Sequence, residues 1–164
     1  MTKDFTTDGL LYPLTKGDLP GHPFHGNQYQ QGSGTSVPSG IHTINGKDVT
    51  IAPRANLSNA NLYGADLTGV DLSNANLLNA SLFNADLRYA DLTGADLSKA
   101  NLRSADLTSA DLTNTNLTNT NLTGANLSDT NLYHANLTGT RGDENTKLPP
   151  THEVVNGFVV AMGQ

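Results

Sequence analysis

Residues 55–80 read ANLSNANLYGADLTGVDLSNANLLNA, with a leucine at every fifth position. A spacing of five fits neither common period. An amphipathic helix repeats its apolar residues at three and four, and a half-buried strand repeats them at two. The pattern runs on to residue 140. Leucine occupies positions 57, 62, 67 and every fifth position up to 137, seventeen times without a gap. Two residues before each leucine stands a small residue: Ala in most repeats, Val70, Thr115, Thr120 or Thr130 in the others. The residue just before each leucine is Asn or Asp, with Ser81 the exception. The two that follow vary and are mostly polar.

In a helix each residue turns by about 100°, so leucines five apart would drift around the axis. In a flat strand an odd spacing would place successive leucines on opposite faces. A chain that turns a corner once per repeat avoids both failures. Four pentapeptides then close one coil, every leucine faces the axis, and successive coils bond to one another at about the ordinary strand spacing of 4.8 Å. Gly, Asn and Asp suit the corners, because they tolerate turn and left-handed conformations. Seventeen repeats make a little over four coils, a rod about 20 Å long.

The A(D/N)LXX pattern over residues 55–140 resembles the pentapeptide-repeat family. The resemblance implies an all-β fold, a right-handed quadrilateral β-helix with the leucines and small residues inward and the other three positions outward. It covers about half the chain and leaves the flanks unassigned.

Four segments differ in composition. Residues 1–40 are rich in Gly, Pro, Gln and Ser and read as an extended arm. Residues 41–54 carry Asn45-Gly46 between β-branched residues, a tight-turn signal. Residues 55–140 are the repeat. Residues 141–164 end in HEVVNGFVVAM, with a second turn signal at Asn156-Gly157. Solenoids need their ends covered, so 41–54 and 141–164 are expected to form hairpin-like caps. The apolar second hairpin also offers a contact for homo-oligomerisation.

The net charge of −6 argues against sequence-independent nucleic-acid binding, which requires cations to neutralise phosphates. There is no cysteine, hence no disulfide framework and no thiolate chemistry. Neither a membrane-spanning run nor a signal-peptide pattern is evident. The motif search finds no nucleophile elbow, phosphate loop or paired catalytic carboxylates, so no enzymatic activity and no cofactor are expected. His22 and His25, in HPFH, lack a third ligand nearby in sequence, and no metal site is expected there.

Folding the repeat by four sorts the outward residues into columns twenty residues apart. Tyr63, Phe83 and Arg103 share one column, with Leu78 on the preceding side and Arg88 and Tyr89 on the following side. Bulky and cationic residues clustered on a Ser/Thr-rich face suggest a protein interface. Two acidic ladders also emerge, Asp66/Asp86/Asp106 and Asp71/Asp91/Asp111. The pentapeptide resemblance brings in gyrase-binding members thought to mimic DNA with acidic rods, whereas elementary chemistry reads these carboxylates as acceptors for nearby backbone amides. In the arm, GHPFHGNQY (residues 21–29) resembles a short element of head-associated proteins of tailed phages. Phe24 and Tyr29 there are candidate anchors for a partner.

These readings converge on a structural binding protein. The leading expectation is a capsid decoration or minor head protein docked by its arm on a shell protein, located in the virion if phage-encoded and in the cytoplasm otherwise. An acidic mimic binding gyrase or another topoisomerase comes second, and a cytoplasmic interaction scaffold third. The five-residue period carries its own test. Leu97, mid-stack, should be core, and Leu97→Ala should cost about 2–5 kcal/mol in chemical denaturation; a loss within error would place this leucine outside the core.

Overall fold

Within the central stack the five backbone N–H groups of a repeat are satisfied in one recurring way. In residues 76–80, Asn76 N–H donates to Ala55 O at 2.9 Å, Leu77 N–H to Asp96 O at 2.7 Å, Asn79 N–H to Ser98 O at 2.9 Å and Ala80 N–H to Leu77 O at 3.0 Å. The fifth donor, Leu78 N–H, bonds the Asn76 side-chain Oδ1 at 3.0 Å. Three bonds therefore link neighbouring coils, one closes a turn, and one engages the residue before the leucine. This explains the preference for Asn or Asp at that position. Both present an oxygen at the right reach for the amide two residues on, and a buried amide left without an acceptor costs free energy.

The same scheme fixes the coil length. Parallel bridges join Asn56 to Asn76, Asp66 to Asp86, Asp71 to Asp91 and onward to Asn116 with Asn136, always twenty residues apart. The chain returns onto itself after four repeats. Each turn is closed by a bond such as Ala60 N–H to Leu57 O at 3.0 Å. In all seventeen repeats the second residue after the leucine has a φ of 56° to 68°, the left-handed conformation required at the third residue of a type II turn. Gly and Asn fill most of these places. Tyr89, Lys99, Ser104, Ser109, Asp129 and His134 adopt the same conformation, held there by the ladder.

This computed structural model describes residues 6–7, 10–11 and 40–162, and they contain strands, bridges and turns but no helix. The leucines from Leu62 to Leu127 are fully buried, Leu57 and Leu132 nearly so. Leu137 is only half-buried, which departs from the expectation that all seventeen leucines are fully inward: no complete coil lies beyond it. The outward positions also depart from a simple rule. Thr68 is buried completely, and most residues before the leucines are half-buried because their side chains bend back to the backbone. Four core positions hold buried threonines instead of alanine. Thr115, Thr120, Thr130 and Thr140 donate their hydroxyls to Leu92, Leu97, Leu107 and Leu117 O at 2.7–2.9 Å, so burial leaves no unsatisfied hydroxyl.

At the first end, β3 (Gly40–Ile44) pairs antiparallel with β4 (Lys47–Ile51) through a turn at Asn45 (φ 51°) and Gly46 (φ 74°). Ile44 and Ile51 join the core, and the Asn45 amide donates to Asn61 O at 3.2 Å and Tyr63 O at 3.1 Å. Earlier in the chain, β1 (Thr6–Thr7) pairs with β2 (Leu10–Leu11). The segment read as an extended arm thus contains a short antiparallel ladder; Phe24 and Tyr29 lie outside the described residues. At the other end the stack continues past residue 140, with bridges Asn121 to Arg141 and, after a one-residue insertion, Asn126 to Lys147. Then β5 (His152–Val155) pairs with β6 (Phe158–Ala161). Phe158 bridges Arg141, Val159 N–H donates to Thr140 O at 2.9 Å, and the Val159 side chain is buried.

Ser81 breaks the pattern informatively. Its side chain gives no acceptor to the Phe83 N–H, and no other acceptor serves that amide among the described residues. Ser81→Asn should supply one and raise stability by about 0.5–1.5 kcal/mol, read as a higher denaturant midpoint at unchanged slope; an unchanged or lower midpoint would show that the side-chain acceptor contributes nothing.

Candidate functional site

The column of Tyr63, Phe83 and Arg103 is a physical stack. The Tyr63 and Phe83 rings lie 5.6 Å apart at 13°, and the Arg103 guanidinium carbon sits 5.7 Å from the Phe83 ring centroid. Residues twenty apart on adjacent coils are brought to about one strand spacing, so flat side chains in one column stack along the rod. Both faces of Phe83 are thereby engaged within the chain. What is left to solvent is the ring edges, the half-exposed Tyr63 and the exposed Arg103. Leu78 on the preceding side is half-buried.

Arg88, on the following side, grips Asp86 with two bonds, Nε to Oδ1 at 2.8 Å and Nη2 to Oδ2 at 2.6 Å. This is the paired geometry that suits a guanidinium to a carboxylate. Partial burial pushes the Asp86 carboxyl up, but bonding and charge from Arg88, with the Thr68 hydroxyl, outweigh it and hold the group below the usual carboxylate range. Asp66 and Asp106 add to the field that keeps Arg88 protonated. The first acidic ladder is therefore partly neutralised from within. Its members also serve the backbone: Asp66, Asp86 and Asp106 accept from the amides of Thr68, Arg88 and Thr108 at 3.0–3.2 Å. In the second ladder Asp71, Asp91 and Asp111 accept from Ser73, Thr93 and Thr113 at 2.9–3.0 Å.

Tyr89 stands apart. It is 54% exposed with φ at 60°, so a bulky side chain takes up a left-handed conformation and gains little burial for it. Tyr133 is more exposed still, at 66%, and meets the His134 ring edge-on at 4.0 Å. The column analysis of the sequence did not single out Tyr133, although it occupies the same repeat position as Tyr63 and Phe83. On the hairpin β5–β6, Val155, Phe158, Val160 and Met162 are exposed and share the outward face. No group of three or more potential metal ligands occurs among the described residues; His22 and His25 lie outside them.

A family profile described as Pentapeptide repeats matches residues 50–77, 80–119 and 105–141. Among solved structures, a pentapeptide repeat protein from the cyanobacterium Cyanothece 51142 (Rfr23) is 46% identical over 58% of this chain, with a TM-score of 0.48. A pentapeptide repeat protein from the Arabidopsis thaliana thylakoid lumen is 41% identical over 54% of this chain, with a TM-score of 0.53. This chain spans 62% of the length of each. QnrB1, a plasmid-mediated fluoroquinolone resistance protein, is 26% identical over 47% of this chain and 38% of its own, with a TM-score of 0.28. No curated protein matches.

The stack has a measurable consequence. Phe83→Ser removes a ring contact and a cation–π contact together and should lower stability by about 1–2 kcal/mol. Tyr63→Ser in that background should then cost less than it does alone. Additive losses would show that the two rings do not couple.

Proposed function

Because this chain belongs to the pentapeptide-repeat family, we propose that it is a non-enzymatic rod that binds another protein, and that its partner is the shell of a phage capsid. In this reading each coil is a closed right-handed square of four pentapeptides; the twenty-residue bridge register and the turn in every repeat support it. Residues 1–40 attach to the shell protein through Phe24 and Tyr29, and the rod projects as a decoration or minor head protein. The resemblance of GHPFHGNQY to phage head-associated proteins supports the virion as the location.

Tyr89 carries the interaction reading. The positive φ is common to this position in every repeat and does not single Tyr89 out; what does is a large aromatic side chain left 54% exposed on a polar face, a residue type enriched at protein interfaces. With Tyr63, Leu78, Phe83, Arg88 and Arg103, Tyr89 forms the lateral contact surface of the rod. The fold also suits a scaffold better than an enzyme, since its polar groups are largely committed to holding the coils.

A second reading, an acidic mimic acting on gyrase or another topoisomerase, draws on the two aspartate rows. The Arg88 clamp on Asp86 weakens one of those rows as a copy of phosphate charge. The two readings separate by experiment. Deleting residues 1–40 should leave a folded rod that no longer co-sediments with capsids, and Tyr89→Gly should reduce occupancy while raising stability by about 0.5–1 kcal/mol. Full occupancy of both variants would refute the capsid reading, and inhibition of gyrase supercoiling by the intact chain would establish the second.

A further inference from the structure

Asn-Gly occurs twice in the chain, at residues 45–46 and 156–157, and each pair makes the turn of a terminal hairpin. The two turns match closely. Asn45 and Asn156 have φ of 51° and 50°, Gly46 and Gly157 of 74° and 81°. All four residues are exposed. Neither glycine amide donates a hydrogen bond among the described residues, and a Cβ at either glycine would meet nothing within 4 Å. A glycine after asparagine leaves its own nitrogen unhindered for attack on the asparagine side chain, because it carries no Cβ. On sequence, backbone and exposure the two sites should react alike.

Their side chains differ. Asn45 Nδ2 donates to Asn61 O at 3.2 Å and to Tyr63 O at 3.1 Å, so the group that would leave is pinned to the rod. The Asn156 side chain makes no hydrogen bond among the described residues. Attack requires the side chain to swing toward the backbone nitrogen of the next residue. At Asn45 that movement gives up two hydrogen bonds, and at Asn156 it gives up none.

We propose that Asn156 is a site of spontaneous deamidation from which Asn45 is protected, and that the modified hairpin loosens from the stack. The Gly157 nitrogen bonds to the side-chain carbonyl carbon of Asn156 and gives up its proton. The bond from that carbon to Nδ2 breaks, and ammonia leaves. Water then opens the cyclic imide at one or other carbonyl, giving aspartate or β-linked isoaspartate; nothing is oxidised or reduced. Both products add a negative charge, and isoaspartate also adds a methylene to the main chain. The neighbouring residues hold the hairpin in place: Gly142 N–H donates to Gly157 O at 3.1 Å, Val159 N–H to Thr140 O at 2.9 Å, and Phe158 bridges Arg141. A longer main chain at residue 156 shifts Gly157 O and Phe158 out of that register. The inference is independent of residues 1–40 and of any capsid partner.

The test ages the intact folded chain in mildly alkaline buffer and follows both Asn-Gly peptides by mass spectrometry after digestion, with the aspartyl and isoaspartyl forms separated by chromatography. Asn156 should convert at least about tenfold faster than Asn45. In guanidinium chloride, where neither turn persists, the ratio should fall to about threefold or less. The isoaspartyl fraction of the aged chain, isolated by anion exchange on its added charge, should show faster amide hydrogen exchange at Gly142 and Val159 than the fresh chain. Equal rates at the two sites in the folded chain, faster conversion at Asn45, or a ratio that survives unfolding would overturn the protection of Asn45. Unchanged exchange at Gly142 and Val159 in the isoaspartyl fraction would overturn the loosening of the hairpin.

Discussion

Five backbone amides per repeat must find five acceptors, and the rest of this molecule follows from how they do so. Three reach across to neighbouring coils, one closes the turn, and one bonds the Asn or Asp before the leucine. Because the inter-coil bonds join residues nineteen to twenty-one apart, every twentieth side chain returns to the same angular position and the leucines, five apart, fall into four columns. The core is narrow and consists largely of Leu and Ala. Hydrophobic burial and hydrogen bonding therefore act on the same residues, and neither is set independently of the other.

The leucine period, the small residue two places earlier and the Asn-Gly turns can be read from the sequence because each is a local chemical requirement. The Asn and Asp acceptors are legible for the same reason: a carboxylate or amide oxygen reaches its own backbone two residues on. Other features depend on the stacked neighbour. The hydroxyls of Thr115, Thr120, Thr130 and Thr140 find carbonyls twenty-three residues earlier, which a reading of threonine as merely small does not reveal. Tyr89 and Lys99 take a left-handed conformation that their own preferences oppose, because the ladder on both sides dictates it. Arg88 and Asp86, two apart, look like a surface cation and a turn carboxylate until the fold brings them into a paired contact. At the C-terminal end the period stops and a hairpin crosses the coil, so Leu137 is only half covered.

A surface built on such repetition is uniform, and its exceptions carry the functional information. Most outward positions are Ser, Thr, Asn or Gly. Tyr63, Phe83, Arg103, Tyr89 and Tyr133 depart from that rule, but not alike: the first three are tied into one stack, whereas Tyr89 and Tyr133 extend into solvent. The aspartate rows look acidic in sequence yet are committed to the backbone and, at Asp86, to Arg88. The large side chains that the fold leaves most exposed on the rod are therefore Tyr89 and Tyr133, while the regular faces maintain the rod.

The hydrogen-bond register is the central claim, and scalar couplings across hydrogen bonds test it most directly. In a uniformly labelled sample, a long-range ¹⁵N–¹³C′ correlation should connect the Leu97 amide nitrogen to the Asn116 carbonyl carbon and the Lys99 nitrogen to the Thr118 carbonyl, across bonds of 2.8 and 2.9 Å. Correlations from these two amides to carbonyls at any other separation in sequence would contradict the four-repeat coil.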